Sequence, residues 1–298
     1  MVATLVLAHH EVLMKSDTGG SDAGGPIERA HLRHPNDTTH TIFRYPAPPD
    51  LRELVSRYWI PVWRVPQGRD APQHVLRYPV CLIVITDEYA RFYGVESGLS
   101  TTVLTGDGWA VGVMLTPAAG ALLTGVELAA FTDRVVDVSE VLGDAGRDTV
   151  EQIREVMRRD PRSPGAHRSA TAAYDDVLRS YLPVDDEGRL VNRVVAFVED
   201  NPDVLRVEQV RNEFGLSERA LQRLVHRRIG LTPKWLIQRR RLQEAAGRLR
   251  EKPASLSEVA AVLGYADQPH FVRDFKNVVG MTPGAFADRY SRENPRAE

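Results

Sequence analysis

Two stretches of the C-terminal third repeat one another, and that repeat limits the folds open to the chain more than any other feature. VEQVRNEFGLSERALQRLVHRRIGLTP (207–233) aligns with LSEVAAVLGYADQPHFVRDFKNVVGMTP (256–283). Val210 answers Val259 and Gly215 answers Gly264 at an offset of 49. Past one inserted residue the offset becomes 50, so that Leu221 answers Phe271, Arg223 answers Arg273, Gly230 answers Gly280 and Thr232-Pro233 answers Thr282-Pro283. In each copy an apolar period of 3.6 stops at a glycine, a short turn follows, and a second period begins, which is the helix-turn-helix pattern. The glycine supplies the left-handed backbone that ends the first helix. Ser217 and Asp267 then stand where a side-chain oxygen caps the second helix, and Ser255 with Glu258 has capping-box spacing.

The second helix of each copy has two unlike faces. Leu221, Leu224 and Val225 turn inward, while Arg219, Gln222, Arg223 and His226 share an outward face. In the second copy Phe271, Phe275 and Val279 turn inward and leave Pro269, His270, Arg273, Lys276 and Asn277 outside. A solvated charged surface is the ordinary meaning of one such face, but two copies place arginine at matched outward positions. Arginine offers a bidentate fork to guanine, and Gln222 and Gln268 have the donor and acceptor that adenine requires. Phosphate contacts are expected at Ser217, Arg227, Lys234, Asp267 and Lys276, from hydroxyls, cations and helix N-terminal amides. Between the copies PKWLIQRRRLQEAAGRLREK reads as a long helix opened by Pro233, with a basic, phosphate-facing side.

The net charge of −2 hides this arrangement. Residues 190–298 hold 19 Lys and Arg against 14 Asp and Glu, a balance of +5, whereas residues 1–189 hold 19 against 26, a balance of −7. A basic helical part is joined to an acidic part. Within the acidic part, residues 16–41 are dense in Gly, Ser, Asp, Thr and Pro and cannot offset their ordering entropy, so 1–45 is expected to be a flexible arm. Short β-branched and aromatic runs follow (YWIPVWRV, HVLRYPVCLIVIT, ARFYGV, TTVLT, WAVGVML), which fit strands of a β-rich domain over 46–145. GDGWAVGVM is read as a turn between strands, and PAAGALLTGV as a short helix opened by Pro117. Two amphipathic helices over 146–185 make a helical linker that could serve dimerisation, and 186–298 is the repeat-bearing domain. The fold class is α+β in two domains: a β-rich N-terminal domain, then an all-α domain of two helix-turn-helix units joined by a long linker helix.

Residues from about 190 to 290 resemble the DNA-binding domain of the AraC/XylS family of bacterial transcription regulators. ALQRLVHRRIGLTPKWLIQRRRLQEAAGRL and LSEVAAVLGYADQPHFVRDFKNVVGMTPGAFADRY carry the likeness, and GYADQPHFVRDFKNVVGMTP follows the family signature almost position by position. LRELVSRYW and VGVMLTPAAGALLTGVELAAFTDRVVDVSEVLG resemble the sensor part of one subgroup. The resemblance implies base contacts at Arg219, Gln222 and Arg223 in the first unit and at Gln268, His270 and Arg273 in the second. It also implies double-stranded DNA and RNA polymerase as partners, a homodimer, and a possible small-molecule effector. Pro269 departs from the family pattern, since relatives often carry a polar residue there and proline offers no hydrogen bond.

Other functions find little footing. No G-x-S-x-G, phosphate-loop or dinucleotide glycine pattern is present, so no enzyme is expected. His9, His10, His31, His34 and His40 form no H-E-x-x-H pattern, and neither metal nor cofactor is expected. Cys81, the single cysteine, lies in the apolar run VCLIV and reads as a buried thiol; with no run of about 18 apolar residues and no basic leader, the expected location is the cytoplasm. The aromatic set Tyr58, Trp59, Trp63, Tyr93 and Trp109 has two readings, strand core or a ligand pocket, with Trp59, Trp63, Tyr93 and Trp109 as the pocket candidates. The alternative function is a ligand- or protein-responsive adaptor whose helical domain mainly contacts a protein such as RNA polymerase.

Overall fold

The computed structural model describes residues 38–76, 78–96, 98–251 and 255–293. Most of the expected N-terminal arm lies outside them. Eight strands are formed among these residues: β1 (His40–Pro46), β2 (Val55–Arg64), β3 (Ala71–Leu76), β4 (Leu82–Thr86), β5 (Ala90–Tyr93), β6 (Leu99–Leu104), β7 (Asp107–Leu115) and β8 (Val135–Asp137). Six make an antiparallel sheet in the order β1-β2-β7-β4-β5-β8, and β3 pairs with β6 as a separate ribbon. The first strand therefore begins inside the segment expected to be a flexible arm. HTIFRYP carries alternating apolar residues that a composition average over 16–41 does not register.

Strand alternation gives the large sheet two unlike faces. On β2, Tyr58, Ile60 and Val62 are buried in the main core, and on β7 so are Trp109, Val111, Val113 and Leu115. The opposite face carries Trp59 and Trp63, whose cross-strand partners are Gly112 and Gly108. A methyl group at either glycine would overlap the tryptophan ring opposite. These two glycines lie inside β7 and let indoles lie across the strand, so GDGWAVGVM is strand from Asp107 onward, and only Gly106 keeps the left-handed backbone of a turn, with φ +56°.

Helix α1 (Ala119–Thr124) ends at Gly125, and a 3-10 turn follows over Leu128–Phe131. Helix α2 (Val138–Arg159) starts from a capping box: Asp137 accepts from the Ser139 N–H at 2.9 Å, and Glu140 accepts from the Asp137 N–H at 3.2 Å. Helix α3 spans Pro164–Arg179. Ile153, Met157, Ala170 and Tyr174 from this pair are buried in the same core as the inner face of the sheet. Tyr174 donates to the Val111 carbonyl at 2.9 Å, and Tyr58 donates to the Asp175 carboxylate. The segment 146–185 is thus a layer of the sheet domain rather than a linker between domains, because its apolar stripes have the sheet to cover.

Seven further helices follow among the described residues: α4 (Asp186–Asp200), α5 (Val207–Glu213), α6 (Glu218–Ile229), α7 (Pro233–Glu251), α8 (Leu256–Val262), α9 (Gln268–Val279) and α10 (Pro283–Glu293). The main core runs without interruption from the sheet through α2, α3 and α4 to α6 and the first turns of α7. A second core belongs to α8, α9, α10 and the rest of α7, built on Leu242, Leu249, Phe271, Phe275 and Phe286. The boundary between packed bodies therefore falls within α7, not before α4.

Candidate nucleic-acid interface

Each repeat is assembled from local chemistry. In the first, α5 ends near Gly215 (φ +61°), Ser217 accepts from the Ala220 N–H at 3.2 Å, and α6 closes at Gly230 (φ +83°). In the second, α8 ends near Gly264 (φ +71°), Asp267 accepts from the His270 N–H at 2.7 Å, and α9 closes at Gly280 (φ +77°). Left-handed glycine at each helix end and an oxygen cap at the start of α6 and of α9 give both copies the same handed turn. Buried Leu221, Leu224, Val225 and Ile229 hold α6, while a chain of tilted rings, Tyr265, Phe271, Phe275 and Phe286, holds α9 with centroids 5.4–5.7 Å apart.

With those faces buried, the polar ones are left to solvent. Arg219, Gln222 and Arg223 on α6 and Gln268, His270 and Arg273 on α9 are all exposed, as is Lys276. Gln222 donates to Glu218 at 3.1 Å, and His270 lies 3.5 Å from Asp274 with its ring edge-on to Tyr265. Pro269 sits in the first turn of α9, where its missing N–H removes no helical bond.

Several expected phosphate contacts have other work. The Asp267 carboxylate is the cap of α9, and as an anion it repels phosphate; Arg227 is paired with Glu127 and Glu187, each at 3.3 Å. Lys234 is exposed in the first turn of α7 and lines a cleft of about 210 Å³ between the two units, with Arg206, Arg241 and His270. The linker helix shows no basic side along its QRRR run. Arg239 is 3% exposed and pairs with Glu199 at 2.5 Å; Arg240 pairs with Glu244 at 3.1 Å and donates to the Pro202 and Val204 carbonyls at 2.9 and 3.1 Å. Arg241 stacks 3.9 Å from the Tyr265 ring centre. Helix α7 is wrapped by both units, so its arginines serve packing with paired charge.

The sequence did not single out how the first unit is fixed. The buried Arg228 guanidinium meets Asp185 and Glu187, and, against the cost of burial, it holds the Asp185 carboxyl below the usual carboxylate range. Thr132 donates to the Gly230 carbonyl at 3.1 Å. Asn192 bridges the other side, accepting from the Ala118 N–H at 2.9 Å and donating to the Glu53 carbonyl at 3.0 Å. One clue was available: Arg227-Arg228 at the end of an otherwise apolar turn faces the acidic triplet Asp185-Asp186-Glu187.

A second concavity, of about 240 Å³, lies between the outer face of the sheet and the β3–β6 ribbon. Of the aromatic candidates, Trp59, Trp63 and Tyr93 line it. Trp109 does not: it is buried on the inner face, since Val62, its partner across β2, has the parity opposite to Trp59 and Trp63. His40, Arg44, Arg57 and Tyr78, unmarked by any sequence pattern, also line this pocket. Cys81 is buried, and burial pushes its thiol up. Among the described residues no group of three or more His, Cys, Asp or Glu is gathered where it could hold a metal ion, and no helix is long and apolar enough to cross a membrane.

A β-rich domain followed by two helix-turn-helix units defines a class of two-domain helix-turn-helix proteins. The comparisons place the chain within it. Residues 211–289 match a family model described as "Helix-turn-helix domain", and residues 43–137 match one described as "Domain of unknown function (DUF6597)". The HTH-type transcriptional activator RhaS of Escherichia fergusonii is 27% identical over 147 residues, covering 45% of this chain and 53% of the relative. RhaS of Escherichia coli O9:H4 is 25% identical over 146 residues, covering 45% and 52%. The chain spans about half the length of these curated relatives. Among solved structures, a probable AraC family transcriptional regulator from Rhodopseudomonas palustris CGA009 is 26% identical, with a TM-score of 0.31, over 33% of this chain and 93% of that one. ToxT from Vibrio cholerae O395 is 11% identical, with a TM-score of 0.37, over 88% and 99%. The C-terminal part thus carries a helix-turn-helix domain and is similar to HTH-type transcriptional activators, in keeping with its resemblance to the AraC/XylS family.

Proposed function

We propose that this protein is a sequence-specific DNA-binding transcription regulator that reads two successive major-groove segments with α6 and α9. One observation carries the reading: two helices with the same cap, turn and closing glycine present Arg223 and Arg273 at equivalent exposed positions. Each helix also carries a glutamine, Gln222 or Gln268, suited to adenine, and α7 ties the pair into one chain. The curated relatives, named as transcriptional activators, support the same reading. The sheet domain is the regulatory part, its pocket the place for a small effector, and RNA polymerase and a second copy of the chain are the further partners.

Selection of bound sequences from a random duplex pool tests this directly. The full chain is used, because the first unit shares its core with the sheet domain. The expected result is a consensus of two short blocks about one helical turn, roughly 34 Å, apart. Recovery of unenriched sequence, together with capture of RNA polymerase in the absence of DNA, would transfer the helical domain to the adaptor role.

A further inference from the structure

One side chain belongs both to the pocket and to the second helix-turn-helix unit. Tyr78, between β3 and β4, lines the cavity behind the sheet and also packs against the core of α8, α9 and α10. Among the described residues it is the one apolar or aromatic side chain of the sheet domain packed there. Its ring centre lies 4.0 Å from the Arg239 guanidinium of α7, and Arg239 and Gln243 neighbour its hydroxyl. Burial pushes that hydroxyl up to about 12, so it stays protonated and able to donate throughout the physiological range.

The pocket itself selects a kind of ligand. Trp59 and Trp63 lie over Gly112 and Gly108 and present flat apolar faces. Arg44 is the cross-strand partner of Trp59, Arg57 precedes Trp59 by two residues on the same face, and His40 is opposite Trp63. Among the described residues that line it there is no aspartate or glutamate. A cavity of this build, apolar with a few convergent polar groups of one sign, suits a small molecule with a flat apolar body and one anionic group. Guanidinium groups take a carboxylate in bidentate geometry.

We infer that the pocket binds a small aromatic monoanion and that Tyr78 passes its occupancy to the linker helix. The first unit is tied to the sheet domain through Arg227, Thr132 and Asn192, whereas the second has a core of its own. A ligand seated against Tyr78 holds the ring where Arg239 and Gln243 pack on it, and so favours one placement of α9 relative to α6. The inference rests on the regulator reading only for what this placement controls; binding and coupling are measured without DNA.

The test uses calorimetry and amide hydrogen exchange on the full chain, with 4-phenylbutyrate and its uncharged amide as probes. The acid is expected to bind at least tenfold more tightly than the amide, and Arg57→Gln to erase that difference. Bound acid should slow exchange across 239–243 by about tenfold. Gln243→Leu, on the linker side, should still bind acid within threefold and lose the protection, and Tyr78→Leu should lose the protection at saturating acid. Equal binding of acid and amide, or no binding, overturns the ligand class. Protection that persists in both variants overturns the coupling route. If acid binding and protection hold while the random pool yields no consensus, the regulator reading fails and this site stands.

Discussion

The hydroxyl of Thr132 donates to the carbonyl of Gly230 at 3.1 Å, joining the turn before β8 to the glycine that closes α6. Gly230 has φ +83°, and a methyl there would overlap Thr132 Oγ1 and come within 3.1 Å of the Ala129 Cα. Gly215 also has a positive φ, +61°, but has open space around its Cα. Gly215→Ala is expected to cost about 1 kcal/mol, the strain of a left-handed alanine. Gly230→Ala adds an overlap with Thr132 Oγ1, displacing the hydroxyl that bonds this junction, and crowds the backbone of 128–129, so it should cost about 2 kcal/mol or more. Urea unfolding of the two variants is the measurement, and equal losses would mean that the junction at Gly230 contributes nothing to stability.

Arg223 and Arg273 are exposed and hold no part of either core. Replacing either with alanine should leave the unfolding midpoint in place while costing about 1–3 kcal/mol of binding to the selected sequence. Specificity should relax only in the block read by the helix concerned. Competition with duplexes changed one base at a time would show it, and a uniform loss at every position would reassign the arginine to phosphate.

Asp267 separates two roles that sequence reasoning merged. As the cap of α9 it bonds to the His270 N–H at 2.7 Å, a bond that asparagine can also make. Asp267→Ala should therefore destabilise by about 1 kcal/mol, and Asp267→Asn by a few tenths at most. Removing the negative charge from a helix end that the proposed docking turns toward phosphates should raise DNA affinity in the asparagine variant. Lower affinity in that variant with stability intact would restore Asp267 as a DNA contact.

The repeat was legible because it is local. Caps, closing glycines and the two-faced helices depend on residues within one turn of each other, and Ser217, Asp267, Gly230 and Gly280 all sit where spacing alone put them. The strands of the sheet were legible as runs, but not the pairing that decides function. Nothing in GDGWAVGVM says that Gly108 and Gly112 will stand opposite Trp63 and Trp59, so the run read as a turn and Trp109 as a companion of Trp59 rather than its reverse face. The arginines of α7 were misjudged for a similar reason. QRRRLQEAAGRLRE is basic on every side, and only the tertiary partners Glu199, Pro202, Val204 and Tyr265 show that the run is wrapped.

His167 makes the sheet domain sensitive to acid. It stands in the first turn of α3, fully buried against β1, its Nδ1 2.6 Å from the Tyr45 hydroxyl and its Nε2 2.8 Å from the Pro161 carbonyl. A carbonyl only accepts, so Nε2 carries the proton and Nδ1 accepts from Tyr45, which describes neutral imidazole. Burial holds its pKa below the ordinary 6.5, over the opposing pull of the Pro161 carbonyl and Asp160. The unfolded chain therefore binds the proton first as pH falls. Stability contributed by the neutral ring is complete above about 6.5 and is lost as pH drops toward the folded value. Urea midpoints should fall between pH 7.5 and 5.5, and His167→Gln should flatten that part of the profile. An unchanged slope in the variant would place the sensitivity elsewhere.

Arg227 and Lys276 offer the sharpest separation of packing cations from binding cations. Arg227 is held by Glu127 and Glu187, so its charge is already neutralised within the fold, whereas Lys276 is exposed on the outward face of α9. A cation that displaces counterions from DNA contributes about 0.9 to the slope of log affinity against log salt, and one paired internally contributes nothing. Lys276→Gln should make the slope shallower by about 1 and weaken binding to all sequences alike. Arg227→Gln should leave the slope unchanged, but it strips Glu127 and Glu187 of a partner and should lower the unfolding midpoint. Salt titrations of both variants on one selected duplex decide the matter: a slope that changes for Arg227 and not for Lys276 would mean that the ion pairs at Glu127 and Glu187 open when DNA binds.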